Sequence, residues 1–511
     1  MLLGVGLAAL VTVSACSSNS SPTPGPSGAP AKGGTLRVVT VIPPQTLDPA
    51  KTVQNNAWLE QLAYEPLIVR KSDGTLVPGL ANSWSYQSDD NTKFVLKLRP
   101  GVTFSDGGKM DAQNVVDHFK YVQKAGGQMA PFLNGDTFTA TDPTTVTITA
   151  KAPNPNFPEI LTQDYIIGGV ISPDGLKAPA GLGTRTLGAG PYQLDTTQTI
   201  PGSSYTYVPN PNYYNKSAVH WSKVVIRVIT SPQSALNAVR AGEADVTVGD
   251  PSTVDAAGKA GLKVAAAPLL WSGVILADRN GTMAAPLKDP KVRQALNLAT
   301  DRAAISTALF KGTGVPTAQI TVPGGYGYDP ALNDTYRYNT AKAKSLLAAA
   351  GFPNGFPLRL ATPQYQQLNL MAQTLKQQWK QVGVDLQISD MANANQFTSD
   401  TFGGKYPAFM TAFGQLPIWM EGPSLFLPGA AFNPFHNKDL TLTSLYAQSS
   451  KAKGDAKTKL DQQVIGQVTN LGWFVPVVAT NLPYYAGKKV DNVQTSPKEP
   501  LLSLAEITPA G

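Results

Sequence analysis

Cysteine is all but missing: the 511 residues hold one, Cys16. No disulfide can form within the chain, so the fold must stand on its apolar cores. Histidine is nearly as scarce. His118, His220 and His436 lie far apart with no Cys or His partner at ligand spacing, which argues against a structural zinc site. Charged residues are only 15% of the chain, and the net charge of +7 comes from 41 basic against 34 acidic groups. The basic residues form no block beyond the spaced Lys451, Lys453, Lys457 and Lys459, the pattern of a solvated helix face, so nucleic-acid binding has little support. Catalytic signatures are also lacking. There is no Gly-x-Ser-x-Gly elbow and no His-Glu-x-x-His, and Glu243 and Asp245 are neighbours on one loop rather than a spaced acid/base pair. We expect no enzyme and no cofactor.

What is present is a long, turn-rich chain. Hydrophobic residues make up 42%, with 46 Gly and 42 Pro, and the length sets two or three domains as the expectation. Residues 2–13 form an apolar run too short to span a bilayer but suited to a signal-peptide core. Val13-Ser14-Ala15-Cys16 follows, in the form of a bacterial lipobox whose cysteine carries the lipid. No Lys or Arg precedes the run, so the translation start is expected upstream of Met1. Residues 17–32 are rich in Ser, Pro and Gly, a linker that would reach roughly 20 Å as a flexible coil.

The body then alternates strands and helices. Leu36 to Val41 reads as a buried strand. Further on, Phe94, Leu96 and Leu98 alternate with Lys93, Val95, Lys97 and Arg99, the period of a half-buried strand with a mostly charged outer face. Pro100-Gly101 and Asp106-Gly107-Gly108 turn the chain, and Asp111 is placed to cap a helix carrying Val115, Val116, Phe119 and Val122. Residues 145–149 alternate as another strand. A βαβ unit follows from Val224, with Ser231-Pro232 opening its helix and Gly242 closing it. The glycines from 181 to 190 lack a P-loop Lys-Ser/Thr and read as a tight turn. Asp289-Pro290 caps a helix, and another runs from Thr340 to Gly351. A second βαβ unit, with Leu368, Met371, Leu375 and Trp379 on its helix face, leads us to expect a second sheet.

The wording of several stretches is specific. Leu-Arg-x-Gly-Val-x-Phe-x-Asp-Gly after a tryptophan, the Gly-Gly-Thr-Leu strand with Leu47-Asp48-Pro49, Gly188-Ala189-Gly190-Pro191-Tyr192, Gly242-Glu243-Ala244-Asp245 and Asp-Pro-Lys-Val-Arg-Gln-Ala-Leu before Asp301-Arg302 recur in order. Together they resemble the peptide-binding family of bacterial ABC-transporter solute-binding proteins (family 5, extracellular lipoprotein type). The resemblance implies an α/β, bilobal, periplasmic-binding-protein-like fold with an additional inserted α+β subdomain. On that reading lobe I comprises 33–59, 181–268 and 485–511, the inserted subdomain 60–180, and lobe II 269–484. It also implies a monomer, lipid-anchored outside the cell membrane, that captures a peptide or other medium-sized solute and delivers it to ABC permease and ATPase subunits. Oligosaccharide or metal-chelate binding, or ligand sensing on the same fold, are the alternatives.

Ligand-contacting residues are expected by position in that family: Gln54, Asn55, Trp271, Ser272, Gln415, Trp419 and Glu421, with no metal ligand. Peptide-binding members commonly carry Gly-Trp-x-x-Asp-Tyr-x-Asp/Glu-Pro in lobe II, whose first Asp pairs with the peptide ammonium. Here Gln415 to Pro423 stands in its place, with Leu416 at the Trp position and Trp419 at the Asp position. Removing one partner of a buried ion pair costs on the order of 3–5 kcal/mol. A free peptide amino terminus is therefore a poor fit unless Glu421 substitutes, and Trp419 offers a flat apolar surface for sugars, aromatic groups or capped peptides.

Overall fold

The computed structural model describes residues 33–52, 57–71, 73–365, 367–498 and 501–511, so Cys16, Gln54 and Asn55 lie outside the described residues. From residue 33 onward the described residues belong to one compact unit. Its first strand is β1 (Gly33–Thr40), whose Leu36, Val38 and Val39 are buried.

The next strands build a separate small structure. β2 (Ile68–Arg70) pairs with β3 (Leu76–Pro78), while β4 (Ala81–Tyr86), β5 (Lys93–Leu98), β6 (Thr137–Asp142) and β7 (Thr145–Thr149) form an antiparallel sheet in the order β4-β5-β7-β6. The period-two reading of β5 holds: Phe94, Leu96 and Leu98 are buried. They pack on the helix Ala112–Ala125 through Val115, Val116, Phe119 and Val122. Asp111 starts that helix with a reciprocal capping box to Asn114, and Gly126 ends it at φ 70°, a conformation that favours glycine. His118 sits on the same buried face. Its Nε2 lies 2.9 Å from the Ile167 carbonyl while the Ile171 N–H donates to Nδ1, and burial pushes its pKa down to about 4. It is a satisfied, neutral core histidine.

The large sheet begins again with β8 (Tyr192–Leu194), β9 (Ser204–Pro209), β10 (Trp221–Val228), β11 (Val246–Val248) and β12 (Lys263–Leu276). It is completed by β13 (Val315–Pro316), β14 (Phe356–Pro363), β15 (Val384–Met391), β16 (Ala408–Gly414) and β17 (Phe474–Ala486). The strand order is β15-β14-β16-β12-β17-β11-β1-β10-β9-β8, with β13 added on β17. Both βαβ units are present, but the first is not a directly paired couple. β1 lies between β10 and β11 and is parallel to both, so the Pro232–Arg240 helix crosses over it. In the second unit β14 and β15 pair directly and in parallel.

The expectation of a separate second sheet is corrected. The two half-sheets are continuous because β12 and β17, antiparallel along nearly their whole lengths, belong to both. The Lys263 end pairs with β17 where β17 pairs on its other side with β11. The Leu276 end lies beside β16. Register slips in the β12–β17 ladder fall between Pro268 and Leu270 and between Ser272 and Gly273. Such irregularities bend a ribbon and increase its twist.

The Asp289–Arg302 signature is structural. Asp289 caps the helix Pro290–Leu298 and Asp301 caps Arg302–Phe310. Arg302 is buried, and among the described residues no carboxylate pairs with it. Its guanidinium donates to the carbonyls of Thr317, Pro476, Asn297 and Tyr336 and to Asn297 Oδ1 at 2.8–3.1 Å, and burial lowers its pKa to about 10. One side chain thereby ties two helices and a loop to β17.

Candidate functional site

A cavity of about 450 Å³ lies where the carboxyl ends of strands from both half-sheets meet. The first half-sheet contributes Thr40 at the end of β1, Val41 and Ile42 just beyond it, and Val248 at the end of β11. The second contributes Gly414 at the end of β16, followed by Gln415, Leu416 and Pro417. Ligands of open α/β sheets bind beyond the carboxyl ends of strands, and the volume is within the range of pockets that enclose a drug-sized molecule. The spine lines it as well, through Leu269 and Leu270 at the β12 slip and Leu482 and Tyr484 on β17. Trp58, Tyr165 and Tyr326 complete an aromatic wall, and Pro497, Lys498 and Leu501 close the side nearest the C-terminal segment. Most of this surface is apolar.

The polar side chains in the wall are largely committed to the protein itself. Gln415 Oε1 accepts from the Val322 N–H at 3.0 Å, and its Nε2 donates to the Leu416 carbonyl at 2.9 Å. Asp164 Oδ2 accepts from Arg70 Nε at 2.8 Å, with both side chains buried. Gln163 locks the backbone of the same arginine: the Arg70 N–H donates to Gln163 Oε1, and Gln163 Nε2 donates to the Arg70 carbonyl. Burial raises the Asp164 pKa, and the neighbouring Arg70 charge opposes that shift. Two residues on, Ile166 has φ 65°, a left-handed conformation that a β-branched residue rarely takes. The bonds that hold the turn are Gly169 N–H to the Ile166 carbonyl and the His118 contact with Ile167. Thus the core histidine secures the loop that presents Asp164 and Tyr165 to the cavity.

The expected contact residues are placed in three ways. Gln415 lines the cavity, as do its neighbours Leu416 and Pro417. Trp271 and Ser272 do not. Both are buried in β12, with Trp271 set edge-on against Phe474 in the core, and the strand reaches the cavity at Leu269 and Leu270 instead. Glu421 is fully buried away from the cavity. Among the described residues its oxygens have no hydrogen bond of ordinary geometry, and burial, reinforced by Asp461 and only partly offset by the Leu416 backbone, raises its pKa well above the carboxylate range. It is a group of the protein interior and does not line the cavity.

Trp419 also lies outside the lining and faces the β2–β7 structure. Its Nε1 donates to Glu159 Oε2 at 3.1 Å, and its ring meets Phe132 edge-on at 5.6 Å and Tyr165 at 6.2 Å. His436 is exposed, with Nδ1 2.7 Å from the Pro428 carbonyl. Among the described residues no group of three His, Cys, Asp or Glu is arranged to hold a metal ion. Trp58, Asp164, Tyr165, Tyr326, Tyr484 and Lys498 escaped the reading of the sequence. They come from separate segments, and no local pattern joins them.

Residues 75–428 match the family model for bacterial extracellular solute-binding proteins, family 5 Middle. The chain is 29% identical over 423 residues to a probable D,D-dipeptide-binding periplasmic protein, DdpA of Escherichia coli (strain K12), covering 76% of this chain and 77% of that protein. It is 27% identical over 464 residues to the glutathione-binding protein GsiB of Shigella flexneri, covering 86% and 87% respectively. The structure of HbpA2 from Haemophilus parasuis shares the fold with a TM-score of 0.83 at 22% identity, covering 93% of this chain and 100% of that one. The fold is thus the bilobal α/β architecture of periplasmic binding proteins, with a cavity between half-sheets. By its sequence match over more than half its length, the chain belongs to the bacterial extracellular solute-binding proteins of family 5.

Proposed function

We propose that this protein is the lipid-anchored solute-binding component of an ABC importer, and that it captures one peptide-like solute between its lobes for delivery to a membrane permease. The observation that carries the reading is the cavity of about 450 Å³ at the strand ends of both half-sheets, in a chain of this family. The names of DdpA and GsiB, a dipeptide binder and a glutathione binder, support a small peptide-like ligand. The lining favours a ligand with an apolar or aromatic body, since Asp164 is already bound to Arg70. Lobe I is assigned to 33–59, 181–268 and 485–511, the inserted subdomain to 60–180 and lobe II to 269–484. Lipidation at Cys16 and the linker after it would hold a monomeric body outside the membrane.

Isothermal titration and thermal-shift measurements with di- to pentapeptides, oligosaccharides and metal chelates test the reading. Saturable one-to-one binding of small peptides is the expected result. Selective stabilisation by a sugar or chelate would replace the peptide assignment, and absence of binding across all three sets would overturn the carrier function.

A further inference from the structure

We infer that Trp419 and Glu159 form a clasp that holds the β2–β7 structure against the second lobe and favours the closed molecule before any solute enters. The inference rests on the proposed solute-carrier reading. Trp419 follows the cavity-lining Pro417, and Tyr165 lines the same cavity from the core of the β2–β7 structure. The two segments meet directly: the indole donates to Glu159, 260 residues away in sequence, and packs on Phe132 and Tyr165.

Both partners are held in place independently of a solute. The Tyr446 hydroxyl donates to the Trp419 carbonyl at 2.8 Å, and Met420 packs with Trp419 against the core of the β2–β7 structure. Glu159 sits in the short helix Phe157–Ile160, whose Phe157 and Ile160 are buried in that core. A second contact spans the same gap, with Lys453 Nζ 4.2 Å above the ring of Tyr86. The Tyr86 hydroxyl is anchored in turn to the Asn154 carbonyl at 2.7 Å. Every group on one side comes from residues 86–165 and every group on the other from 419–453.

These contacts exist only when the two sides are together, so they add to the closed state and contribute nothing to an open one. A device of this kind changes the population of the closed form without touching the solute. Tyr165 is shared by the clasp and the cavity wall, which makes the two events mutually supportive. Trp419 is therefore a positioning residue rather than a contact residue.

The test uses the full chain in a Cys16→Ser background, spin-labelled through Lys120→Cys and Asp455→Cys, two exposed sites on opposite sides of the gap. Without solute, the unaltered clasp should give a single short inter-label distance. Trp419→Ala should shift the distribution to longer distances, with a loss of closed form of about tenfold, as expected from removing two aromatic contacts and a hydrogen bond. Trp419→Phe should restore part of the closed population, and the exposed Lys453→Ala should reproduce a smaller opening in a molecule whose fold cannot be at issue. Unchanged distances in both Trp419→Ala and Lys453→Ala would overturn the clasp. The distances are read without solute, so failure of every peptide to bind would count against the carrier function while leaving this result intact.

Discussion

Asp164 grips Arg70 at 2.8 Å, while the residue before it, Gln163, grips the same arginine by its backbone. The pair lies at the edge of the cavity and is almost wholly buried, so its two members have unequal consequences when removed. Asp164→Asn leaves a buried guanidinium without its charge partner and should cost about 3–5 kcal/mol in urea denaturation. Replacing both with leucine should recover most of that loss. Equal destabilisation by the single and double changes would show that Gln163, not the ion pair, organises the loop.

Glu65 provides a pH test with a definite sign. It is buried, accepts from the Tyr214 hydroxyl at 2.5 Å, and burial raises its pKa from the ordinary 4.5 to about 7. Between these values the folded chain holds a proton that the unfolded chain has released. Stability contributed by the neutral form is therefore complete below about 4.5, falls as pH rises toward 7, and is constant beyond. Glu65→Gln keeps an acceptor for Tyr214 and should remove this slope, gaining up to about 3 kcal/mol over wild type above pH 7. Parallel melting curves of the two proteins across that pH range would show the divergence or its absence.

Gly414 separates occupancy of the cavity from stability. It lines the cavity, and a Cβ added there meets no atom within 4 Å. Gly414→Ala should leave solute binding intact and be neutral or stabilising by about 0.4–1 kcal/mol, because it restricts the unfolded chain. Gly414→Phe should fill the space and abolish binding while the melting temperature holds. Wild-type affinity in the phenylalanine variant would place the solute elsewhere.

Arg302 is expected to be irreplaceable even by lysine. Its loss takes the donor from the carbonyls of Thr317, Pro476 and Tyr336 in the interior. Arg302→Leu should destabilise by about 3–5 kcal/mol, and Arg302→Lys should recover only part, because an ammonium cannot reproduce the planar fork. Denaturation midpoints of the two variants decide the point.

The anchor is tested by Cys16→Ser, which should move the protein from the membrane pellet to the soluble fraction of its natural host. Persistence in the pellet would refute lipidation at that residue.

Short-range physics was legible in the sequence, and long-range closure was not. Asp111, Ser231 and Asp289 each cap the helix expected of them, because a cap depends on residues two or three positions away. The alternation at Phe94, Leu96 and Leu98 likewise needs only its own strand. The fusion of the half-sheets depends on β12 meeting β17 some two hundred residues later, and no local pattern encodes that pairing. At the site the same limit applies. Gln415 was placed by its segment, but the lining of Trp58, Tyr165 and Tyr326 is assembled only by tertiary structure. Trp419 was conspicuous as a break in the family's wording, yet its partner Glu159 could not be read from its surroundings.

The shared spine also limits how the molecule can be divided. β12 and β17 each serve both half-sheets, so neither lobe is a module that can be excised. A fragment ending before Phe474 strips β12 of its partner and leaves an edge open to strand addition from a second copy. Chimaeras that exchange lobes between relatives must therefore carry both strands together, with their slips, or inherit a mismatched ladder. A protease cut in the β2–β7 structure, by contrast, leaves the spine whole.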